Sequence, residues 1–323
     1  MGSRVMSKAD ISSVTDRFAI FNADTVEVAR KIPDRSVDFS CFSPPFSSLY
    51  SYSNSPRDFG NVTDDAQFFA QYDYLIRESA RVMKQGRLIA IHCMLLPTSK
   101  TRHGYIGLSD FRGEIIRAYQ KHGFIFHSEI ALWKDPVQAM QRTKALGLLH
   151  KTIRKDSAMS RQGINDYVVV MRTPGENPDP ISHTHDSFPV LRWQRYASPV
   201  WVTTGACDDE GFLNCSAEET DDESSGINPN DTLQYRSARD PEDTKHICPL
   251  QLGVIRRCIR LWTNPNEIVW SPFAGIGSEG YVALQEGRRF VGAELKGSYF
   301  RQAVKNLTEA SIVRQPDLFA SVG

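Results

Sequence analysis

Apolar runs of strand length alternate with longer amphipathic runs of helix length along most of the chain. The runs at Phe18–Phe21 and Val37–Phe42 are apolar and bounded by turn-forming residues, whereas apolar side chains recur at helical spacing between Asp64 and Met83. Glycine follows two amphipathic runs, at Gly86 and Gly123, where it favours a helix end. Because helices and strands alternate, we predict an α/β fold with helices covering a mostly parallel sheet.

The same pattern recurs further along the chain. Strands are predicted at Arg87–His92, Phe124–Trp133, Asp166–Arg172, Glu267–Ser271 and Phe290–Glu294. Helices are predicted at Thr25–Lys31, Phe111–His122, Pro249–Trp262, Gly277–Glu286 and Ser298–Glu309. The segments after residue 248 form an unbroken alternation, so this part belongs to the same kind of sheet.

The alternation stops after Arg172 and resumes near Cys248. Residues 173–180 are rich in proline, glycine and polar residues, which propagate neither helix nor sheet easily. The stretch that follows has weak periodicity, and its acidic part, Asp208–Asn230, is predicted to be a surface loop. We therefore predict three regions, residues 17–172, 173–245 and 246–310.

Composition and cysteine spacing exclude several classes of protein. The chain has 323 residues, equal numbers of basic and acidic side chains, and a mean hydropathy of -0.37. Its apolar runs are far shorter than the ~20 residues that cross a bilayer, and its first ten residues lack the apolar core of a secretory signal. Its six cysteines form no Cys-x-x-Cys pair. We therefore expect a cytoplasmic protein without a membrane segment or a metal site.

A glycine-rich turn follows the apolar run that ends at Ser271. Gly275 and Gly277 would let the backbone approach a ligand closely, and the next predicted strand ends at Glu294. A carboxylate at that position can accept hydrogen bonds from both hydroxyls of a ribose. The pattern favours a nucleoside pocket, and a surface acid beside Lys296 is the alternative interpretation of Glu294.

The strand predicted at Val37–Phe42 leads into Ser43-Pro44-Pro45-Phe46. Two consecutive prolines remove two backbone donors and hold the chain extended, which leaves carbonyl oxygens to accept hydrogen bonds. An amino group bonded to Ser43 and to a proline carbonyl would direct its lone pair at an electrophile, and Phe46 could stack on a base. A proline-bearing surface turn is the alternative interpretation. The residue types favour an acceptor site for an amino group.

The two segments together resemble the motifs of a known enzyme family. Ser43-Pro44-Pro45-Phe46 is similar to the (D/N/S)PP(Y/F/W) catalytic motif of DNA amino-methyltransferases, and Phe273-Ala274-Gly275-Ile276-Gly277 is similar to their FxGxG cofactor motif. The order, with the catalytic motif first and the cofactor motif last, is that of the β class. The chain resembles phage or orphan members of this class over most of residues 17–307.

The resemblance implies a Rossmann-like methyltransferase fold with an inserted target-recognition region. It implies S-adenosylmethionine as the cofactor and double-stranded DNA as the partner, and it is compatible with a homodimer. In this interpretation residues 17–172 form the catalytic half, residues 173–245 the target-recognition region and residues 246–310 the cofactor-binding half.

Site residues follow from the resemblance position by position. Asp24 is similar to the acid that contacts the cofactor adenine, and His246–Leu250 resembles the segment beside the methionine moiety, with Cys248 in place of the usual lysine. The resemblance assigns catalysis to Ser43, Pro44, Pro45 and Phe46. It assigns cofactor binding to Asp24, Ser43, His246, Pro249, Phe273, Ala274, Gly275, Gly277, Ser278 and Glu294.

Basic residues are concentrated between Lys134 and Arg161, and further arginines accompany aromatic residues in the region 173–245. A basic surface can neutralise DNA phosphates, and a solvated helix face is the alternative interpretation. The predicted DNA-binding residues are Arg142, Lys144, Lys151, Arg154, Arg192, Arg195 and Arg236.

Two signals in the sequence disagree about the target base. In the family a leading Asp or Asn is typical of N6-adenine enzymes and a leading Ser of many N4-cytosine enzymes, so Ser43 points to cytosine. The block His246–Leu307 resembles phage-type members associated with adenine. We predict N6-adenine, with N4-cytosine as the alternative. Cytosine C5 methylation needs a cysteine nucleophile, and Cys41 is predicted to lie within the strand instead.

Two other classes of protein fit part of the sequence. An NAD-dependent oxidoreductase would also use Gly275, Gly277 and Glu294, but it is disfavoured because the glycine turn lies near the C-terminus and because it gives no role to Ser-Pro-Pro-Phe. A catalytically silent protein with the same fold would bind DNA without transferring a methyl group.

Overall fold

A computed structural model of the protein describes residues 11–46, 59–60, 62, 65–143, 146–202, 226–234, 238 and 249–312. The strands of this part of the chain are β1 (Ile11–Val14), β2 (Phe18–Asn22), β3 (Val37–Phe42), β4 (Met83–Met94), β5 (Leu96–Pro97), β6 (Leu108–Ser109), β7 (Ile125–Leu132), β8 (Asp166–Arg172), β9 (Val200–Trp201), β10 (Ile268–Ser271) and β11 (Arg289–Ala293). Its helices are α1 (Thr25–Ala29), α2 (Asp65–Val82), α3 (Lys100–His103), α4 (Phe111–Lys121), α5 (Pro136–Thr143), α6 (His150–Lys155), α7 (Val190–Tyr196), α8 (Leu252–Trp262), α9 (Ser278–Gln285) and α10 (Gly297–Ile312).

One large sheet organises the fold, with the strand order β1-β2-β11-β10-β3-β4-β8-β7-β9. Neighbouring strands from β2 to β4 run parallel to one another. The strand β8 is antiparallel to both β4 and β7, and β9 is parallel to β7. The predicted α/β class with a mostly parallel sheet is confirmed.

Hydrophobic clusters cover both faces of this sheet, as expected for parallel strands. Side chains alternate between the two faces along β3, where Phe39 and Cys41 join one cluster and Phe42 joins the other. The first cluster is completed by α8, α9 and α10 and the second by α1, α2 and α4. The sheet is therefore the middle layer of three.

The adjacent strands β10 and β3 are parallel, but the connections that leave them lead toward opposite edges of the sheet. From β10 the chain continues through α9 to β11, whereas from β3 it continues through α2 to β4 on the opposite face. The crevice at the carboxyl ends of two such strands is where open α/β sheets bind ligands. The glycine turn follows β10 and the Ser-Pro-Pro-Phe segment follows β3, so the topology brings both motifs to one crevice.

The structure differs from the sequence prediction around Gly86. We expected Gly86 to end the helix before a strand at Arg87, but α2 ends at Val82 and β4 already begins at Met83. Gly86 lies inside β4 with a φ of 65°. A Cβ there would lie 2.5 Å from the backbone nitrogen of Asn177, so glycine is required by the close approach of another segment.

No described helix is long and apolar enough to span a membrane. Within the described residues the cysteines Cys41, Cys93 and Cys258 are buried free thiols. The same residues contain no group of three or more histidine, cysteine or acidic side chains arranged to hold a metal ion.

Candidate active site

The Ser-Pro-Pro-Phe segment begins directly after the last residue of β3. Pro44 and Pro45 are buried, whereas Ser43 and Phe46 are partly exposed. The Phe46 ring centroid lies 6.1 Å from that of His92 and 6.3 Å, edge-on, from that of Phe111. The Phe46 ring therefore packs against β4 and α4, while Ser43 and Phe46 both keep part of their surface accessible at the carboxyl edge of the sheet.

Two side-chain contacts join the strand β3, which precedes this segment, to β10 and to the turn that follows β10. Ser40 Oγ donates a 2.8 Å hydrogen bond to the carbonyl oxygen of Trp270, 230 positions away. The rings of Phe42 and Phe273 lie 5.8 Å apart between centroids. The two motifs identified in the sequence are therefore the two walls of one crevice.

A chain of hydrogen bonds runs from Ser43 into the interior. Ser43 Oγ lies 2.8 Å from His92 Nδ1, and His92 Nε2 lies 2.9 Å from Asp166 Oδ2. We call Ser43, His92 and Asp166 the carboxyl-edge chain, because they lie where β3 and β4 end and β8 begins. His92 and Asp166 are both buried.

Asp166 is held as a carboxylate. Burial would raise the pKa of this carboxyl, but the Lys134 ammonium and the His92 ring hold the pKa lower, at about 2. Lys134 forms an ion pair with Asp166 Oδ2, the oxygen that also faces His92. An ionised carboxylate only accepts hydrogen bonds, so the ring nitrogen that faces it must carry a proton.

The sequence analysis missed His92 and Asp166 as site residues. It gave correct strand assignments for both, since His92 closes a predicted apolar strand and Asp166 opens another. Their contact depends on the antiparallel register of β4 and β8, which pairs Met94 with Asp166 and makes His92 its diagonal neighbour on the same face. The signal in the sequence that could have identified them is that each is a polar side chain at the end of a predicted apolar strand.

The glycine turn leaves space for a ligand. Gly275 and Gly277 have φ values of 54° and 86°, a region that glycine adopts without strain. A Cβ at Gly275 would meet no atom within 4 Å, whereas one at Gly277 would lie 3.2 Å from Ala303. Gly275 therefore faces open space on the crevice side, while Gly277 permits the packing of α10.

Glu294 follows β11 and holds the turn. Its Oε2 accepts a 2.8 Å hydrogen bond from the Gly275 amide, and its Oε1 accepts one of 2.7 Å from the Lys296 amide. Each carboxylate oxygen can accept a second hydrogen bond, so adjacent ribose hydroxyls fit this residue. The open side of Gly275 and this acidic side chain suit the nucleoside part of S-adenosylmethionine.

The other predicted cofactor residues are distributed around the same edge. Phe273 is partly exposed, and Ala274 and Ser278 are buried in the turn. Asp24 follows β2 and its Oδ1 accepts from the amides of Val26 and Glu27, so one carboxylate oxygen caps α1. Pro249 is partly exposed and precedes α8, which begins at Leu252 rather than at Pro249 as predicted. His246 lies outside the described residues.

The predicted DNA-binding residues fall into separate groups. Lys151 and Arg154 are exposed on α6, within the segment that leaves β7 and returns at β8 on the crevice side of the sheet. Arg192 and Arg195 are partly buried on α7, and Arg192 donates to the carbonyl oxygen of Ser187 at 2.9 Å. Arg142 belongs to α5, but its side chain is not described, and Lys144 and Arg236 lie outside the described residues.

The chain belongs to the DNA methylase family of N6 and N4 amino-methyltransferases, which matches residues 37–305. Type II methyltransferase M.Cfr9I of Citrobacter freundii is 23% identical over 296 residues, covering 89% of this chain and 87% of that protein. Type II methyltransferase M.BglII of Bacillus subtilis is 23% identical over 282 residues, covering 87% of this chain but only 66% of that protein.

Solved structures show the same fold. A DNA modification methylase of Thermus thermophilus, TTHA0409, solved with S-adenosyl-L-methionine, has a TM-score of 0.61 at 20% identity and covers 92% of this chain and 96% of its own. PvuII DNA methyltransferase, described as cytosine-N4-specific, has a TM-score of 0.57 at 14% identity, with 93% of each chain covered. The predicted Rossmann-like methyltransferase fold is confirmed.

Proposed function

We propose that the protein transfers a methyl group from S-adenosylmethionine to the exocyclic amino group of a base flipped out of double-stranded DNA. The observation that carries the proposal is the contact between the two motif-bearing strands, through Ser40 and Trp270 and through Phe42 and Phe273. An amino nitrogen inside the base stack is out of reach of a bulky methyl donor, so the base must leave the duplex.

The residues of the crevice bind and orient the base. Phe46 stacks on it, and Ser43 Oγ and the Pro44 carbonyl oxygen accept hydrogen bonds from its amino group. These bonds turn the nitrogen lone pair toward the cofactor side of the crevice, so the rate gain comes mainly from proximity and orientation. When bound, S-adenosylmethionine supplies an electrophilic methyl group. Glu294 orients the cofactor through its ribose.

We propose N4 of cytosine as the first candidate target. Ser43 is the side chain of the tetrapeptide that contacts the amino group, and a leading serine is the pattern of many cytosine-N4 enzymes. N6 of adenine, the sequence prediction, is the second candidate. Its support comes from the block His246–Leu307 and from a 59-residue match, 38% identical, to the DNA adenine methyltransferase YhdJ of Escherichia coli. That block carries the cofactor motif, which both reactions share, so we give Ser43 more weight.

We propose that α6 contacts DNA phosphates. Lys151 and Arg154 are exposed at the crevice side of the sheet, and Ile153 beside them is 54% exposed. Double substitution of Lys151 and Arg154 by glutamine should reduce the slope of log affinity against log salt by about 2. Arg77→Gln, in the C-terminal half of α2, is the matched control and should leave the slope unchanged.

Methyl transfer tests the function itself. The protein is incubated with plasmid DNA from a methylase-free host and with S-adenosylmethionine that carries a tritiated methyl group. Label should enter DNA with the wild-type protein and not with Glu294→Ala at low cofactor concentration. Binding of DNA without any label, at cofactor concentrations that saturate the wild type, would instead support a silent DNA-binding protein.

A further inference from the structure

The carboxyl-edge chain has a single direction in which its hydrogen bonds can be donated. Because Asp166 is a carboxylate, His92 Nε2 must donate to it across the 2.9 Å contact. In a neutral imidazole the other nitrogen is then an acceptor, so Ser43 donates its hydroxyl proton to His92 Nδ1 at 2.8 Å. The lone pairs of Ser43 Oγ remain available on the crevice side.

We propose that His92, held by Asp166, accepts through Ser43 the proton that the amino group loses on methylation. This inference rests on the function proposed above. As the new N–C bond forms and the S–C bond breaks with its electron pair left on sulfur, the amino proton passes to Ser43 Oγ and the hydroxyl proton of Ser43 passes to His92 Nδ1. His92 becomes an imidazolium beside the Asp166 carboxylate and later returns its proton to solvent.

The surroundings of His92 favour this transfer. An amino group that forms a fourth bond becomes positively charged unless it loses a proton, so an acceptor at hydrogen-bond distance stabilises the transition state. Asp166 from β8 lies directly against the ring, and Lys134, after β7, pairs with Asp166. Three further charged groups lie in the same region. Asp110 caps α4, and Arg112 on α4 forms an ion pair with Glu129 on β7, with 3.0 Å between Nη1 and Oε1.

His92 is thereby assigned the role of a positioning residue, since it acts on the substrate through Ser43. A buried histidine paired with an aspartate can also serve stability alone. The two roles differ in one respect, because a histidine that acts through Ser43 makes the rate of methyl transfer in the folded enzyme depend on its own protonation, whereas a purely structural one does not. A purely structural pair changes how much protein folds and leaves the pH profile of the folded enzyme unaltered.

The test is the single-turnover rate of methyl transfer between about pH 5 and pH 9, measured for the wild type and for His92→Gln. The wild-type rate should rise with pH and then level off, because only the neutral imidazole can accept the proton. His92→Gln should lower the plateau by at least ~100-fold and remove the rise. The matched control is His122→Gln, because His122, at the end of α4, also bonds to a carboxylate, that of Asp73 on α2, at 2.8 Å. It should keep the wild-type profile.

A second measurement needs no turnover. Imidazole nitrogen NMR of the cofactor-free protein should show His92 with its proton on Nε2, and calorimetry should show unchanged cofactor affinity in His92→Gln. A proton on Nδ1, or a His92→Gln enzyme with the wild-type rate and pH profile, would overturn the relay. A wild-type protein that labels no DNA would instead remove the proposed function, so the two failures are distinguishable. If His92→Gln does not fold, Asp166→Asn serves for the same profile.

Discussion

The strands β3 and β4 carry buried polar side chains at both of their ends, and the two ends are used differently. At the amino ends, Asp38, Arg87 and Glu267 form what we call the amino-edge cluster. The Arg87 side chain is 0% exposed, donates to the Asp38 carbonyl oxygen at 2.9 Å and pairs with Glu267. Asp38 Oδ2 accepts a 2.8 Å bond from the Ile268 amide. These groups bind one another and tie β3, β4 and β10 together.

The carboxyl-edge chain is built on the same two strands but ends in the crevice. Its inner members, His92 and Asp166, are buried like Asp38 and Arg87 of the amino-edge cluster, while its outer member, Ser43, is partly exposed. Burial of polar groups does not by itself separate a structural network from a functional one. The difference lies in whether the network terminates at the ligand-binding edge of the sheet.

Breaking the amino-edge cluster should have the largest effect on stability. Arg87→Met leaves the largely buried Glu267 carboxylate without its cation, which costs about 3–5 kcal/mol in the free energy of unfolding. Chemical denaturation measures the loss, and cofactor affinity of the remaining folded protein should be unchanged. Arg117→Met, on the exposed surface of α4, is the control and should have little effect. Equal losses in the two variants would contradict the structural role of the cluster.

The pH dependence of stability should separate two buried acids. Burial raises the pKa of the Glu279 carboxyl to about 8, and the charge of Glu294 adds to the rise. The folded state then keeps a proton that the unfolded chain releases above its ordinary pKa of 4.5, so the free energy of unfolding falls as pH rises from about 4.5 to about 8. The pH dependence that Asp166 contributes has the opposite sign. Because folding lowers its pKa from 3.8 to about 2, Asp166 stabilises the fold above about pH 3.8, and this contribution disappears as pH falls toward about 2.

Glu279→Gln isolates the first of these effects. The variant should gain roughly 4 kcal/mol in the free energy of unfolding near pH 8 and almost nothing near pH 4. Urea denaturation at several pH values provides the measurement. A constant difference between the two proteins across this range would show that Glu279 is ionised in the folded state.

Loss of the proposed ribose contact should weaken cofactor binding selectively. Glu294→Ala removes the acceptor expected for two hydroxyl groups and also the partner of the Gly275 amide, which should cost about 1.5–3 kcal/mol of binding free energy. Isothermal calorimetry with S-adenosylmethionine measures this change. Affinity for DNA should stay at the wild-type value, and the reverse pattern would contradict the assignment of Glu294.

Removal of the Phe46 ring should cause the smallest of these changes in free energy. Phe46→Ala is expected to lose about 1–3 kcal/mol of stacking on the flipped base, seen as a lower kcat/KM on DNA. The ring also packs edge-on against Phe111, so a thermal melt must accompany the kinetics. Phe46→Tyr is the conservative control. Unchanged turnover in Phe46→Ala would exclude the stacking role.

The sequence predicted those features that depend on local chemistry. The ends of β3 at Phe42 and β10 at Ser271, and the two motifs that follow them, were predicted because apolar runs, prolines and glycines are local signals. The contact of His92 with Asp166 was not predicted, since it depends on how β4 and β8 align. Gly86 was misinterpreted for the same reason, because its constraint comes from the backbone of a distant residue, Asn177.

The central claim is that Ser43 presents an exocyclic amino group to the methyl donor in the shared crevice. Mass spectrometry of nucleosides, from methylase-free plasmid DNA incubated with the protein and S-adenosylmethionine, tests it most directly. The account predicts N4-methylcytosine with the wild type and a strongly reduced yield with Ser43→Ala. N6-methyladenine would keep the amino-methyltransferase and make adenine the target. 5-Methylcytosine, or a full yield from Ser43→Ala, would contradict the account.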